Sequence, residues 1–439
     1  MNEKETTAME STQSAAQMPG EKKVPLFDWK YIFSKNTFRY LGPAFLVSVG
    51  YMDPGNWATS IDGGARFGYQ LLWVIFLSNM MAVLLQSLAA KLGIATGKDL
   101  AENCREHFSR PVSMTMWVTA ELAMIATDLA EFLGAALGIY LLFKISLLSA
   151  VFITAADVFI ILWLQKYGFR PLEYVIITFV SVIGASYVIE LFFARPDWAA
   201  IPFHVVVPQI NSESILVAIG ILGATVMPHN LYLHSNLIRS RVTPDASMVK
   251  KKRTYAFAII DSVVALNGAW FVNSAILIMA AGAFASRNMN VASIEEAHTT
   301  LKYLFGNFSS MIFAIALLAS GIASSTTSTM AGQYVMEGFL HVHIRPWLRR
   351  VIFRLIVIIP AVASIAAGID PLRLLVLSQV ALSFQLPFAV IPLIKFTRDA
   401  KLMGSLQNVR ITTIAAVMCT AVIIALNLLL VFRTLGGDF

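Results

Sequence analysis

Two short stretches of the sequence combine a proline with side chains that can bind a metal ion. Residues 50–60 read GYMDPGNWATS and include Asp53 and Asn56, whereas residues 223–235 read GATVMPHNLYLHS and include Met227. These side chains offer an anionic oxygen, a neutral amide oxygen and a thioether sulfur. Magnesium and calcium prefer sites made of oxygen alone, whereas a sulfur ligand favours manganese, iron and later divalent metals. Together the two stretches predict a site for a divalent transition metal ion.

Both stretches lie in runs that are apolar enough to cross a bilayer. A proline cannot donate the helical hydrogen bond, so each one frees backbone groups at a depth where water cannot satisfy them. A cation is one partner for a freed carbonyl, and Gly50 and Ala224, each three residues before a side-chain ligand, are predicted to supply such carbonyls. A plain proline kink is the alternative for either span alone. Two breaks flanked by metal-binding side chains favour a site.

The composition limits the class of protein. Hydrophobic residues make up 57% of the 439 residues and charged residues only 13%. A soluble globular domain usually contains roughly 45–50% apolar residues, so the chain is predicted to be a polytopic membrane protein. The net charge of +7 does not indicate nucleic-acid binding, because the Lys and Arg residues lie between apolar runs. Cys104 and Cys419 are far apart and predict neither a disulfide framework nor a zinc site.

Apolar runs long enough to cross about 30 Å of hydrocarbon predict eleven membrane spans. These lie at roughly residues 41–66, 69–92, 113–142, 147–164, 172–194, 213–238, 254–285, 308–339, 348–367, 372–395 and 410–432. Most of the 33 Lys and Arg residues fall in the N-terminal segment and in the loops after even-numbered spans. The positive-inside rule then predicts a multi-pass plasma-membrane protein with a cytoplasmic N-terminus and an extracellular C-terminus. Residues 1–38 are predicted to be a disordered cytoplasmic tail, and residues 39–439 the transmembrane domain.

The two predicted breaks fall in the first and sixth spans. Because five is odd, two sets of five spans would cross the membrane in opposite directions. Spans 1–5 and 6–10 could therefore form an inverted repeat, with span 11 appended. In this architecture discontinuous helices hold a substrate at the midplane, so the sequence predicts a transporter.

The third predicted span carries three acids, Glu121, Asp128 and Glu131, at spacings that place them on one helical stripe. Carboxylates inside a membrane helix generally face the bundle interior and are candidates for proton relay. The alternative is a structural ion pair with Arg349 or Arg350, near the start of span 9. Both interpretations are compatible with the same arrangement.

The motif DPGN in span 1 together with MPHNLYLHS in span 6 resembles the Nramp family of proton-coupled divalent metal transporters, and its bacterial manganese transporters in particular. Three further segments resemble that family: ATDLAEFLGAALG at 126–138, SSTTSTMAGQYVMEGF at 324–339 and LSQVALSFQLPFAVIPL at 377–393. The resemblance implies an all-α, LeuT-like fold of 5 + 5 inverted spans plus one, with helices 1 and 6 broken.

The resemblance also implies residue roles. It implies metal ligation by Asp53, Asn56, Met227 and the Ala224 carbonyl, and proton transfer by the third span. Gly50 stands where the family often has alanine, which matters little because a carbonyl would be the ligand. His229 is expected to handle protons and gating, and Gln379 to be a ligand near the metal path that acts through water. Magnesium-carrying members depart from the family at the methionine, so Met227 argues against that specificity.

The predicted function is a proton-coupled symporter that imports Mn²⁺ or Fe²⁺ by alternating access. A sodium-coupled symporter of an organic solute in the same fold is the alternative, although its broken helix would normally offer a neutral pocket of small residues. The chain contains no HExxH, GxSxG or nucleotide-binding loop, so an enzyme is not predicted. Metal ions, protons and the bilayer are the expected partners, with no resident cofactor, nucleic acid or obligate protein partner.

Overall fold

The structure, a computed structural model, describes residues 42–156, 169–243, 245–287 and 293–435. Its helices are α1 Pro43–Ser48, α2 Pro54–Phe67, α3 Leu72–Thr96, α4 Leu100–His107, α5 Arg110–Phe143, α6 Leu147–Thr154, α7 Phe169–Ala194, α8 Ile201–Val206, α9 Ile215–Val226, α10 Pro228–Arg239, α11 Met248–Ala283, α12 Ile294–Phe305, α13 Asn307–Leu340, α14 Pro346–Ala366, α15 Pro371–Arg398, α16 Ala400–Met403 and α17 Arg410–Thr434. Short 3₁₀ turns lie at Gly50–Met52, Ala285–Arg287 and Gly404–Leu406. The described ranges contain no β-strand.

Seven helical stretches within the described ranges are long and apolar enough to cross a membrane. They are Leu72–Thr96, Arg110–Phe143, Ile215–Arg239, Met248–Arg287, Asn307–Leu340, Pro371–Arg398 and Arg410–Phe432. This confirms the prediction of a polytopic helical membrane protein. The count of eleven spans stays a prediction, since the predicted fourth span includes residues 157–168, which lie outside the described residues. The predicted tail, residues 1–38, lies outside them as well.

Both predicted helix breaks are present. α1 continues into the turn Gly50–Met52, Asp53 is extended, and α2 begins at Pro54. Similarly, α9 ends at Val226, Met227 is non-helical, and α10 begins at the next residue, a proline. Proline suits the first position of a helix, because an N–H there would have no intrahelical partner. Proline alone does not dictate a break, since Pro360 lies inside continuous α14.

The broken sixth span occupies the centre of the bundle. Its apolar stretch within Ile215–Arg239 is 94% buried, whereas that of Arg410–Phe432 is only 28% buried. The most extensive helix pairings are α5 with α13, α9 with α15, and α11 with both α2 and α3, while α10 packs mainly against α3 and α13. Both half-helices that follow a break are therefore enclosed by other helices, and α17 lies at the periphery.

Close approach at two glycines brings α2 and α9 against α15. A Cβ atom on Gly223 would lie 2.1 Å from the Gln379 carbonyl oxygen, and one on Gly55 would lie 1.8 Å from Gln379 Nε2. A side chain at Gly223 would require the helix backbones to shift, whereas one at Gly55 would displace the Gln379 side chain. The two glycines thus allow both broken spans to touch α15 at Gln379.

We expect Gly223→Ala to lower the midpoint of thermal unfolding in detergent and to reduce transport. Overpacking a closely packed interior typically costs about 1–3 kcal/mol. Gly268→Ala is the matched control, because a Cβ there would meet nothing within 4 Å. An unfolding midpoint for Gly223→Ala equal to that of Gly268→Ala would contradict the packing described here.

Candidate functional site

The Asn56 side chain joins the two helix breaks directly. Its Nδ2 donates to Asp53 Oδ1 at 2.8 Å and to the Ala224 carbonyl oxygen at 2.9 Å. Asp53 Oδ1 also accepts the Asn56 backbone N–H at 2.8 Å and so caps the N-terminus of α2. All three residues are buried. Two sequence segments about 170 residues apart therefore form one local polar site.

Proline explains why the Ala224 carbonyl is available. In a continuous helix this carbonyl oxygen would accept a hydrogen bond from the backbone N–H of residue 228, but Pro228 has no N–H. Gly50 stands in the same relation to Pro54, yet its carbonyl accepts the Asp53 N–H at 3.3 Å in the 3₁₀ turn. The structure thus brings the Ala224 carbonyl into the site, while the Gly50 carbonyl bonds within its own turn.

Met227 is the residue at which the sixth span breaks, and it is fully buried. Its Sδ accepts a hydrogen bond from Asn230 Nδ2 at 3.5 Å. Asn230 in turn packs against Gly50, where an added Cβ would lie 2.7 Å from Nδ2. The thioether is therefore held beside the first break as well as the second.

Four buried oxygens around the breaks accept no hydrogen bond from the described residues. They are Asp53 Oδ2, Asn230 Oδ1, Asn273 Oδ1 and Gln379 Oε1. Buried polar atoms are almost always paired, so unpaired ones in a cluster require an explanation such as a bound ion. The cluster lacks hydrogen-bond donors rather than acceptors, and a bound cation would be coordinated by the unpaired oxygens. No group of three or more His, Cys, Asp or Glu that could hold a metal occurs in the described ranges, so a metal site here would have to combine the single Asp53 carboxylate with amides, a carbonyl and sulfur.

Asn273 of α11 is a site residue that the sequence analysis missed. Its Nδ2 donates to the Tyr51 carbonyl at 2.8 Å and to Asn56 Oδ1 at 3.2 Å, and so orients the bridging amide. The only available signal was a polar residue within an apolar span, the same signal that singled out Gln379. Gln379 Nε2 donates to Ser378 Oγ at 3.1 Å.

Two of the three acids on α5 meet at one serine. Ser328 Oγ of α13 lies 2.6 Å from Asp128 Oδ1 and 2.5 Å from Glu131 Oε2. Glu121 is separate, because its carboxylate pairs with Arg349 Nη2 at 3.0 Å and accepts from Trp117 Nε1 at 3.2 Å. The predicted acidic stripe therefore divides into a serine-bridged pair and a buried ion pair.

A small cavity connects the two parts. It has a volume of about 10 Å³ and is lined by Asp128, Arg349, Arg350 and Arg354 together with Ser325, Thr329, Phe353 and Val357. This is roughly the space of a single water molecule. Arg349 also lies 4.0 Å above the Phe353 ring. The predicted arginines thus face the same small polar space as Asp128.

His229 lies between the breaks and the acids. Its Nδ1 is 3.5 Å from Thr127 Oγ1, the hydroxyl of the residue that precedes Asp128. His234 belongs to a different group, because its Nδ1 is 2.9 Å from Gln86 Oε1. Gln86 in turn donates to the Tyr51 hydroxyl at 2.8 Å.

Comparison with a family model places this sequence in a known group of proteins. Residues 44–433 match the Nramp model, described as natural resistance-associated macrophage protein-like. The chain belongs to the Nramp family.

Similar family members are named for divalent metal transport. The divalent metal cation transporter MntH of Caldanaerobacter subterraneus subsp. tengcongensis is 48% identical over 405 residues, covering 92% of this chain and 95% of that protein. The protein of the same name from Nostoc sp. is 50% identical over 414 residues, with 92% and 93% covered. This Nramp chain therefore belongs to a family of metal ion transporters, which are not enzymes.

Solved structures agree with this assignment. The manganese transporter of Eremococcus coleocola superposes with a TM-score of 0.82 at 35% identity, covering 95% of this chain and 89% of that one. Mhp1, a nucleobase-cation-symport-1 family transporter, superposes with a TM-score of 0.57 at 15% identity over 81% of this chain and 78% of that one, and shows the fold alone. The predicted LeuT-like fold class is confirmed. The boundaries of the two repeats stay a prediction.

We expect Arg349→Met to destabilise this Nramp protein strongly, because it leaves Glu121 buried without its cation. Breaking a buried ion pair in this way costs about 3–5 kcal/mol. The double variant Glu121→Gln with Arg349→Met removes both charges and should recover much of the loss in thermal unfolding experiments. A double variant no more stable than Arg349→Met alone would contradict the assignment of this pair.

Proposed function

We propose that this Nramp protein is a proton-coupled symporter that imports divalent transition metal ions, with Mn²⁺ and Fe²⁺ as substrates, across the plasma membrane by alternating access. The observation that carries the proposal is the cluster of buried, unpaired acceptor oxygens at the two helix breaks. The metal is the transported substrate, and the proposal includes no resident cofactor. The N-terminus is cytoplasmic and the C-terminus extracellular in this proposal.

The proposed metal ligands come from both broken spans. They are the Asp53 carboxylate, the Asn56 amide oxygen, the Ala224 carbonyl and the Met227 thioether, with Gln379 contributing through its unpaired Oε1. The Gly50 carbonyl already accepts the Asp53 N–H and would bind the metal through its second lone pair. The sulfur ligand favours a transition metal over magnesium or calcium.

In this proposal the Asn56 amide lies where the cation would bind. Its Nδ2 donates to two oxygens, Asp53 Oδ1 and the Ala224 carbonyl, which a cation could bridge instead. Rotation of the amide about its terminal torsion would turn Oδ1 toward that position, and the metal would replace both hydrogen bonds. We therefore expect metal binding to reorganise Asn56 and its contact with Asn273.

A metal fits this site better than the organic solute of a sodium-coupled symporter. The unpaired atoms at the breaks are acceptors, whereas a carboxylate-bearing solute would need donors. Asp53 would also repel such a solute. The names of the similar proteins, divalent metal cation transporters, favour the same choice.

Proton carriage is proposed for the acids of α5. One serine hydroxyl has a single proton, yet Ser328 Oγ lies within hydrogen-bond distance of both Asp128 and Glu131. The second short contact therefore requires a proton on one of the carboxyls. Arg349 and Arg350 face Asp128 across a water-sized cavity. A proton shared by the two carboxyls at this position is suited to being released and taken up during transport. His229, beside Thr127, would link the proton site to the metal site.

Alternating access requires contacts that close one side and can open. Asp261 Oδ2 accepts from the Gly42 and Ala44 N–H groups at 3.1 and 2.9 Å and so caps the N-terminus of α1. At the far end of α10, Asn236 Nδ2 donates to Asp99 Oδ2 at 2.8 Å, and Arg239 pairs with Glu102. In the proposed orientation these contacts lie on the cytoplasmic side. Movement of the half-helices α1 and α10 would break them and release the metal.

We expect Asp53→Ala to abolish Mn²⁺ binding measured by isothermal titration calorimetry, because it removes the only charged ligand.

Met227→Ala should retain Mn²⁺ transport but lose much of the discrimination against Ca²⁺ and Mg²⁺. Met227→Leu is the control for shape, since it keeps an apolar side chain of similar size without the sulfur. Unchanged selectivity in both methionine variants would contradict the role of the thioether.

In proteoliposomes, Mn²⁺ uptake should acidify the lumen. Asp128→Asn should reduce the number of protons that enter per metal ion by several-fold while metal binding is retained. The matched control is Glu106→Gln, an acid whose partner Lys98 is outside this cluster. Metal uptake without a luminal pH change in the unaltered protein would refute symport. A normal proton ratio in Asp128→Asn would refute only the assignment of this residue.

A further inference from the structure

The C-terminal end of α15 has a face that changes from apolar to cationic within two turns. Ile391, Ile394, Lys395 and Arg398 have the spacing of one helical face. With Asp399 they line an open cavity of about 450 Å³. Ile391 is 51% exposed on the outer surface of the bundle, where bilayer surrounds a membrane protein. The cavity therefore reaches from the hydrocarbon region to the end of a membrane span.

Among the described residues, the two cations of this cavity have no carboxylate partner, and one of them, Lys395, packs against an aromatic ring. Lys395 Nζ lies 4.4 Å from the centroid of the Phe108 ring, which follows α4 and packs 5.7 Å from Phe396. Within the described part of the chain, neither Lys395 nor Arg398 forms an ion pair.

The cavity also contains one carboxylate, Asp399. Its Oδ1 accepts the Lys401 N–H at 2.8 Å and caps α16. Two cations and one carboxylate give the cavity a net positive charge.

We infer that this cavity binds the headgroup of an anionic phospholipid whose hydroxyls can donate hydrogen bonds, the chemistry of phosphatidylglycerol. The phosphodiester would lie between Lys395 and Arg398, and a headgroup hydroxyl would donate to Asp399. The acyl chains would follow the exposed Ile391 side chain along α15. Basic pockets at the end of membrane helices bind lipid headgroups by this combination of charge and apolar surface. In the proposed orientation, the lipid belongs to the cytoplasmic leaflet.

Native mass spectrometry of the full chain in detergent tests this site, with phosphatidylglycerol and phosphatidylcholine titrated separately. One basic residue near a membrane surface contributes about a five-fold change in affinity for an anionic lipid. Arg398→Gln should therefore weaken phosphatidylglycerol binding by about five-fold, and Lys395→Gln with Arg398→Gln by about 30-fold. The control Lys250→Gln with Lys401→Gln removes the same charge outside the cavity and should leave this binding unchanged.

Several outcomes would overturn the inference. Equal loss in the control would indicate diffuse attraction rather than a site. Equal binding of phosphatidylglycerol and phosphatidylcholine would remove the role of net charge. Displacement of the lipid by millimolar inorganic phosphate would assign the cavity to a free anion instead. If the double variant does not fold, which its thermal unfolding would reveal, Arg398→Gln alone decides, because Arg398, unlike Lys395, makes no aromatic contact within the described residues.

Discussion

A proline cannot donate a hydrogen bond to the carbonyl four residues before it, and two prolines impose this constraint on the two broken spans. Hydrocarbon offers no water to replace the lost donor, so the protein must supply a partner from elsewhere. At Pro54 the partner is local, because the Gly50 carbonyl bonds to Asp53 in a 3₁₀ turn. At Pro228 the partner is distant, because the Ala224 carbonyl bonds to Asn56. That single bond joins the two halves of the candidate site.

The rest of the bundle supports that junction in two ways. Glycines remove the side chains that would separate the helices, so that Gly55 and Gly223 both contact Gln379. Amides from neighbouring spans fix the orientation of Asn56, as Asn273 does by donating to its Oδ1. The resulting pocket is rich in acceptors and poor in donors. A protein that only needed a kink would not keep unpaired oxygens in its core, since each costs free energy unless something binds it.

Sequence reasoning predicted the features that a short motif carries and missed those that depend on packing. The breaks were predicted from two prolines flanked by metal-binding side chains, and the acidic face of α5 from helical spacing. Ser328, which bridges Asp128 and Glu131, gave no signal, because serine is common in apolar helices and its partners lie about 200 residues away. Asn273 carried only the signal of a polar residue within an apolar span, and its partners lie more than 200 residues away. The use of the Gly50 carbonyl within its own turn could not be predicted either, because it depends on backbone geometry at Asp53.

The proposed function depends most directly on a transition metal bound between the two breaks. Diffraction from crystals grown with Mn²⁺, recorded at the manganese absorption edge, tests this directly. We expect one anomalous peak bonded to the Asp53 carboxylate, with the Met227 sulfur and the Ala224 carbonyl also coordinating the ion and with the Asn56 amide rotated. A peak at Asp128 and Glu131 instead, or one at the breaks with Met227 turned away from the ion, would contradict the central claim.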